Sequence, residues 1–267
     1  MTMRALVTND DGIASEGLRR LAGAAAEVGL DVVVAAPLDD SSGSSASLTA
    51  VEADGHIVVE ERHPEGLAGI PAYGVAAVPG FIALIAAKGA FGPPPDLVLS
   101  GINIGVNTGH AILHSGTVGA ALTGATHGCR AIAISLETGP ELQWDTAAHV
   151  AREVIPWAID ASEPMVLNVN VPNVAADDLA GLRRAGLAAF GAVQTNIAEV
   201  GQGFVRVSLS DIDAELEPGT DAALLADGYA TVTALNPICA APEIVLPIPA
   251  GHAHAVGATD DDRRATG

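Results

Sequence analysis

RALVTNDDGIASEGLRRLAGAAAEVGLDVVVAA, residues 4–36, reads as strand, turn, helix, strand. Residues 4–8 are a short apolar run that stops at Asn9-Asp10-Asp11-Gly12. Leu18, Leu21, Ala22, Ala25 and Val28 then recur at helical spacing, and Gly29 closes a helix over 16–28. DVVVAA (31–36) is a nearly continuous β-branched run, the pattern of a parallel strand covered on both faces. A strand–helix–strand unit of this kind crosses over right-handed.

The alternation continues outward from this unit. PGFIALIAAKGAF (79–91) reads as a helix, DLVLS (96–100) as a strand and 116–127 as a helix. AIAIS (131–135) reads as a strand, 144–160 as a helix and MVLNVNV (165–171) as a strand. This order predicts an α/β fold, Rossmann-like and doubly wound, with a mostly parallel sheet over residues 1–172. Beyond Pro172 the pattern loosens. VRVSLS (205–210) and YATVTAL (229–235) read as strands around the turn-rich acidic ELEPGTDA (215–222), so 173–250 is predicted as a strand-containing extension. Residues 251–267, with His252 and His254, read as a disordered tail. By composition alone SSGSSASLTA (41–50) reads as a flexible linker.

The chain has 267 residues, 49% hydrophobic and 16% charged, which excludes global disorder and allows a full core. Lys+Arg minus Asp+Glu is 12 − 32 = −20. That charge argues against duplex nucleic acid and anionic membranes as partners. No apolar run is long enough for a membrane span, and the first residues do not read as a signal peptide. Two cysteines, Cys129 and Cys239, make no disulfide framework and fit a cytoplasmic location. Lys88 is the sole lysine and stands outside any Walker loop, which argues against P-loop and Schiff-base chemistry.

Ligands of open α/β sheets bind beyond the carboxyl ends of the strands. Three polar segments here each follow a predicted strand: NDDG, the serine-rich loop, and GINIGVNTG (101–109). Asp10 and Asp11 are adjacent carboxylates that a divalent cation would reconcile. An Asx turn or a helix cap is the alternative reading. Ser42 and Asn103 offer further oxygen ligands. Ser115-Gly116-Thr117 precede an Ala-rich helix, and its N-terminus suits an anion, with Ser115 also able to cap it. GINIG is not GxGxxG and has no acidic ribose partner, which argues against a dinucleotide site.

NDDG, APLDDSSGSSASLT (36–49) and SGINIGVNTG…HSGTVGAALTGA (100–125), in that order, resemble the SurE family. The resemblance implies a divalent-metal-dependent nucleotidase acting on nucleoside 5′- and 3′-monophosphates. It implies one Mg²⁺ or Mn²⁺ per subunit, on Asp10, Asp11, Ser42 and Asn103. Phosphate contacts fall on Asn9, Asn107, Ser115, Gly116 and Thr117, and catalysis on Asp10, Asp11, Asn107 and Ser115. A homodimer or homotetramer assembled through the 173–250 arm is implied as well.

Three segments depart from the family pattern. Its GTPADC-like segment reads Ala77-Val78-Pro79-Gly80-Phe81-Ile82, which would make a substrate wall apolar if it faces the ligand. Asn236 stands where members often carry a His, and the basic TRxGxR-type segment keeps Arg183 and Arg184 but little else. A divergent paralogue that binds a phosphorylated ligand without efficient turnover is therefore an alternative. The nucleophile is open between a water activated by the cation and an aspartate. Haloacid-dehalogenase phosphatases use Asp-x-Asp, a spacing that Asp10-Asp11 lacks. His114 is the candidate general acid.

Overall fold

The computed structural model describes residues 2–50, 52–53, 56–160, 165–189, 193–201, 204–211 and 216–239. In chain order the elements are β1 (Arg4–Thr8), α1 (Glu16–Glu27), β2 (Asp31–Pro37), the short β3 (Glu52–Ala53) and β4 (His56–Ile57), β5 (Val59–Arg62), β6 (Ala72–Val75) and α2 (Pro79–Ala87). They continue with β7 (Leu97–Ile104), a 3₁₀ turn (Gly109–His114), α3 (Gly116–Thr126), β8 (Arg130–Leu136), α4 (Trp144–Asp160) and β9 (Val166–Val171). The last are β10 (Leu182–Arg184), β11 (Val193–Gly201), β12 (Phe204–Asp211), α5 (Asp221–Ala226) and β13 (Ala230–Leu235).

Nine strands form one sheet in the order β10-β13-β9-β8-β7-β1-β2-β6-β5. From β6 through β9 every neighbouring pair is parallel. The apolar runs read from the sequence are these central strands, and β1, β2, β8 and β9 are buried over nearly their whole length. Helices cover both faces. Leu18 and Leu21 of α1 and Val150 and Ile155 of α4 pack on one side. Ile82 and Ala83 of α2 and Val118 and Ala121 of α3 pack on the other. Each fully buried Val, Leu or Ile among these contributes about 1.5–3 kcal/mol. The doubly wound, Rossmann-like fold is thus the fold of the chain.

The sheet does not end where the sequence pattern loosens. β13 pairs antiparallel with β9, and β10 pairs parallel with β13, so two strands from beyond residue 172 complete it. ATVTAL is buried at all but one position. Pairing with β9 removes the edge that strand would otherwise expose. The ribbon β11–β12 pairs only with itself among the described residues. β5 and β6 had no signal: all four residues of β5 are exposed, and β6 is only AYGV. The expected disordered tail, with His252 and His254, lies outside the described residues. No helix among those residues is long and apolar enough to cross a membrane.

Candidate active site at the switch point

The chain runs from β1 to β2 on one side and later returns to β7 on the other. The strand order therefore reverses between the parallel β1 and β7, and a crevice opens beyond their carboxyl ends. Asp10 follows β1, and Asn103 lies at the end of β7. A cleft of about 290 Å³ there is lined by Asp10, Ser42, Asn103, Asn107, His114 and Ser115, with Ile104, Val106 and Ala111 as its apolar walls. All three polar segments converge on it.

The serine-rich segment is not a linker. Ser41 donates its N–H to the Asp10 carbonyl at 2.8 Å, and Ser45 Oγ donates to the Leu113 carbonyl at 2.6 Å. The loop sits directly on α3. A Cβ on Gly116 would lie 2.6 Å from Ser44 Oγ and 2.7 Å from Asp10 Oδ2, and one on Gly119 would lie 2.2 Å from the Ser45 carbonyl. Those two positions must be glycine for the loop to approach. Asp40 shapes the loop from within, since its Oδ1 accepts from the Ser42 N–H at 2.8 Å and from Ser42 Oγ at 2.6 Å.

Asp10 is 4% exposed. Its Oδ1 accepts from Thr117 Oγ1 at 2.6 Å. Burial raises its pKa, and the hydrogen bonds from Thr117 only partly offset that. Asp11 is pushed up to about 7 by burial and by the neighbouring Asp10 and Asp40 carboxylates. Asp11 Oδ2, Asn9 Oδ1 and Ser44 Oγ are buried with no hydrogen-bond partner. Asp10 shares the cleft with the Ser42 hydroxyl and the Asn103 amide, while Asp11, next in the chain, does not line it but keeps an orphaned buried carboxylate oxygen; hard oxygens of this kind fit Mg²⁺ or Mn²⁺. Among the described residues no three His, Cys, Asp or Glu side chains cluster around a metal site. Ser42 and Asn103 line the cleft with Asp10 and offer it further oxygens. Asn103 donates its Nδ2 to the Gly105 carbonyl at 2.6 Å, so Oδ1 is the side-chain atom that could face a cation.

The expected phosphate residues divide into two groups. Asn107 and Ser115 line the cleft. Ser115 also caps α3, its Oγ accepting from the Val118 N–H at 3.1 Å. Asn9, Gly116 and Thr117 adjoin the cleft and build it. Asn9 is fully buried and donates Nδ2 to Ser15 Oγ at 2.7 Å and to the Gly12 carbonyl at 3.2 Å. The Thr117 hydroxyl serves Asp10. Phe81 and Ile82 form no wall of the cleft: Ile82 is fully buried in the core, and Phe81 packs against the same cluster. Asn236 is exposed and does not line the cleft. Arg183 stacks over the Tyr229 ring, 4.9 Å from its centroid, and does not line the cleft either.

Sequence reasoning missed the scaffold behind Asn107. The Asn107 N–H donates to Asn170 Oδ1 at 2.7 Å, its carbonyl accepts from Asn168 and Asn170, and its Nδ2 donates to Ser135 Oγ at 2.8 Å. The signal was present. Two asparagines alternate in the otherwise apolar VLNVNV, and buried polar side chains in a central strand must find partners.

Residues 5–192 match the family model described as Survival protein SurE. The 5'-nucleotidase SurE of Chelativorans sp. (strain BNC1) is 34% identical over 245 residues, covering 88% of this chain and 93% of the relative. That of Trichormus variabilis is 39% identical over 184 residues, 68% of each chain. The crystal structure of the SurE protein from Aquifex aeolicus superposes with a TM-score of 0.68 at 30% identity, over 89% of this chain and 94% of that one. The match runs through NDDG, the seated serine loop and the glycine-rich segment that together form the cleft, and the chain belongs to the SurE family.

Proposed function

We propose that the chain is a divalent-cation-dependent 5′-nucleotidase that hydrolyses nucleoside 5′-monophosphates to nucleoside and phosphate. One observation carries this reading: Asp10, Ser42, Asn103, Asn107 and Ser115, from three distant segments, line one cleft at the N-terminus of α3. Asp10 and Asp11, with Ser42 and Asn103, would hold Mg²⁺ or Mn²⁺. When bound, such a cation neutralises phosphate charge and acidifies water.

The chain's own groups do the rest. The Ser115 hydroxyl and the Gly116 N–H, the first-turn amide that neither Asp10 nor the Ser115 cap takes up, bind phosphoryl oxygens. Asn107 has a second amide proton beyond the one given to Ser135, and it holds another of those oxygens. Asn9 and Thr117 keep the carboxylate turn in shape. His114, on the rim, gives a proton to the leaving sugar oxygen. Recognition centred on the phosphoryl group extends the activity to 3′-monophosphates. The low cysteine count and acidic charge fit a cytoplasmic protein, and the separate β11–β12 ribbon supports a homodimer or homotetramer built through 173–250.

The test is phosphate release by the purified chain from AMP, CMP and 3′-AMP with Mn²⁺ or Mg²⁺, before and after chelation. Cation-dependent release from the 5′-monophosphates is expected. Binding of AMP without release would instead identify a divergent, non-hydrolytic member.

A further inference from the structure

Among the described residues two aspartates are almost wholly buried, Asp10 and Asp221, whereas Asp11 is only partly so, and Asp221 has no exposed surface at all. Asp10 belongs to the cleft. Asp221 opens α5, more than a hundred residues further along the chain, and the mechanism above does not use it. Its Oδ1 accepts from the N–H of Ala188 and of Ala222, both at 2.9 Å. Its Oδ2 accepts from the Gly109 N–H at 2.8 Å.

The two oxygens serve different parts of the molecule. Around Oδ1 the chain that leaves at Ala188 is clasped to its own return. The Gly186 N–H donates to the Gly219 carbonyl at 3.1 Å, and the Asp221 N–H donates to the Gly186 carbonyl at 2.8 Å. Backbone bonds alone already close that clasp. Oδ2 is the atom that reaches out to the site. It holds the first residue of the 3₁₀ turn Gly109–His114, whose end carries His114 and leads into Ser115. Two residues upstream, Asn107 is pinned by Asn168 and Asn170. The segment between β7 and α3 is thus held at Asn107 and again at Gly109. Burying a carboxylate is costly unless charge-assisted bonds compensate it, and three N–H donors do so here.

We propose that Asp221 is a positioning residue for the hydrolysis: through Gly109 it fixes the 105–115 segment so that Asn107, His114 and Ser115 meet the phosphoryl group together. Its effect on turnover rests on the nucleotidase reading. Its effect on the segment does not.

Asp221→Asn separates the two oxygens. A carboxamide that keeps both Oδ1 bonds turns an NH₂ toward the Gly109 N–H, donor against donor. Thr220→Ala is the control. It removes the α5 cap, whose Oγ1 accepts from the Ala223 N–H at 3.4 Å, and it leaves the carboxylate in place. Amide hydrogen exchange on the full chain reads the segment, and kinetics with AMP and Mn²⁺ read turnover. Asp221→Asn is expected to speed exchange over 105–115 and to lower kcat by about tenfold or more, with KM moving by less than about threefold. Thr220→Ala is expected to melt lower yet keep wild-type exchange over 105–115 and wild-type kcat. Unchanged exchange in Asp221→Asn, or parallel losses of kcat in both variants, overturns the proposal. So does a wild-type Gly109 amide that exchanges as fast as an unprotected one, a measurement that needs no variant to fold. If exchange responds as expected but the wild-type chain releases no phosphate, the clasp stands and the nucleotidase reading falls.

Discussion

Thr117 Oγ1 donates to Asp10 Oδ1 at 2.6 Å, so the first turn of α3 holds the carboxylate that follows β1. The two residues are 107 positions apart in the chain. The contact joins two of the segments that meet at the cleft, the N-terminus of α3 and the turn after β1. It also aims Asp10 by a charge-assisted bond, which is stronger and more directional than a neutral one.

Thr117→Val keeps the shape and removes that donor. Depriving a buried carboxylate of a partner costs about 1–3 kcal/mol or more. Thr117→Val is expected to raise the Mn²⁺ concentration needed for half-maximal activity by about tenfold, the equivalent of 1.4 kcal/mol. Thr117→Ser should recover most of the loss. A Val variant with wild-type cation dependence would show that the bond does not position Asp10.

Ser115 caps α3, and its proposed role as a phosphate donor differs from capping in what its loss costs. Losing a helix cap costs about 1 kcal/mol of stability. Losing a donor to the transition state costs about 10²–10³ in turnover. Ser115→Ala is expected to melt slightly lower and to lose well over tenfold in kcat, on the same scale. Normal turnover in a folded Ser115→Ala would leave Ser115 as a cap alone.

Much of this site was legible because its residues sit where apolar runs stop. Asp10, Ser42, Asn103, Asn107 and Ser115 all follow strand signals or precede a helix, and topology brings such positions to one edge. The central strands were legible for the same reason, as continuous runs buried on both faces. Other parts had no local signal. β5 is exposed throughout, and its only cue is pairing with β6, a long-range event. β13 was legible as a strand in YATVTAL, but its return with β10 to the main sheet is a long-range event that periodicity cannot report. Asp221 stands in a turn-rich acidic stretch where its burial is invisible, because its partners Gly109 and Ala188 are remote in sequence. Asp40 was hidden beside Asp39, where one of two aspartates in a loop turns inward on Ser42.

The raised pKa values of Asp10 and Asp11 give stability a pH dependence with a definite sign. In the absence of cation the folded state binds more protons than the unfolded chain between the ordinary carboxylate range and about 7. Stability therefore falls as pH rises through that window, as the two carboxylates ionise against their burial. A bound cation removes the conflict. The rise in Tm on adding Mg²⁺ or Mn²⁺ is expected to be larger near about pH 8 than near about pH 5, and Asp11→Asn should flatten the difference. Equal shifts at both pH values would show that the cation does not bind these carboxylates.

Phosphate release from AMP across a Mn²⁺ titration, for the wild-type chain and for Asp10→Asn, tests the carboxylate-centred hydrolytic site most directly. The wild-type chain should release phosphate in proportion to cation occupancy and fall to background in excess chelator. Asp10→Asn should lose at least about 10² in kcat at saturating Mn²⁺, the scale of removing one electrostatic contact to the transition state. Wild-type rates in the Asp10→Asn variant, or full activity of the dialysed wild-type chain in chelator, would contradict a cation held at Asp10 and Asp11.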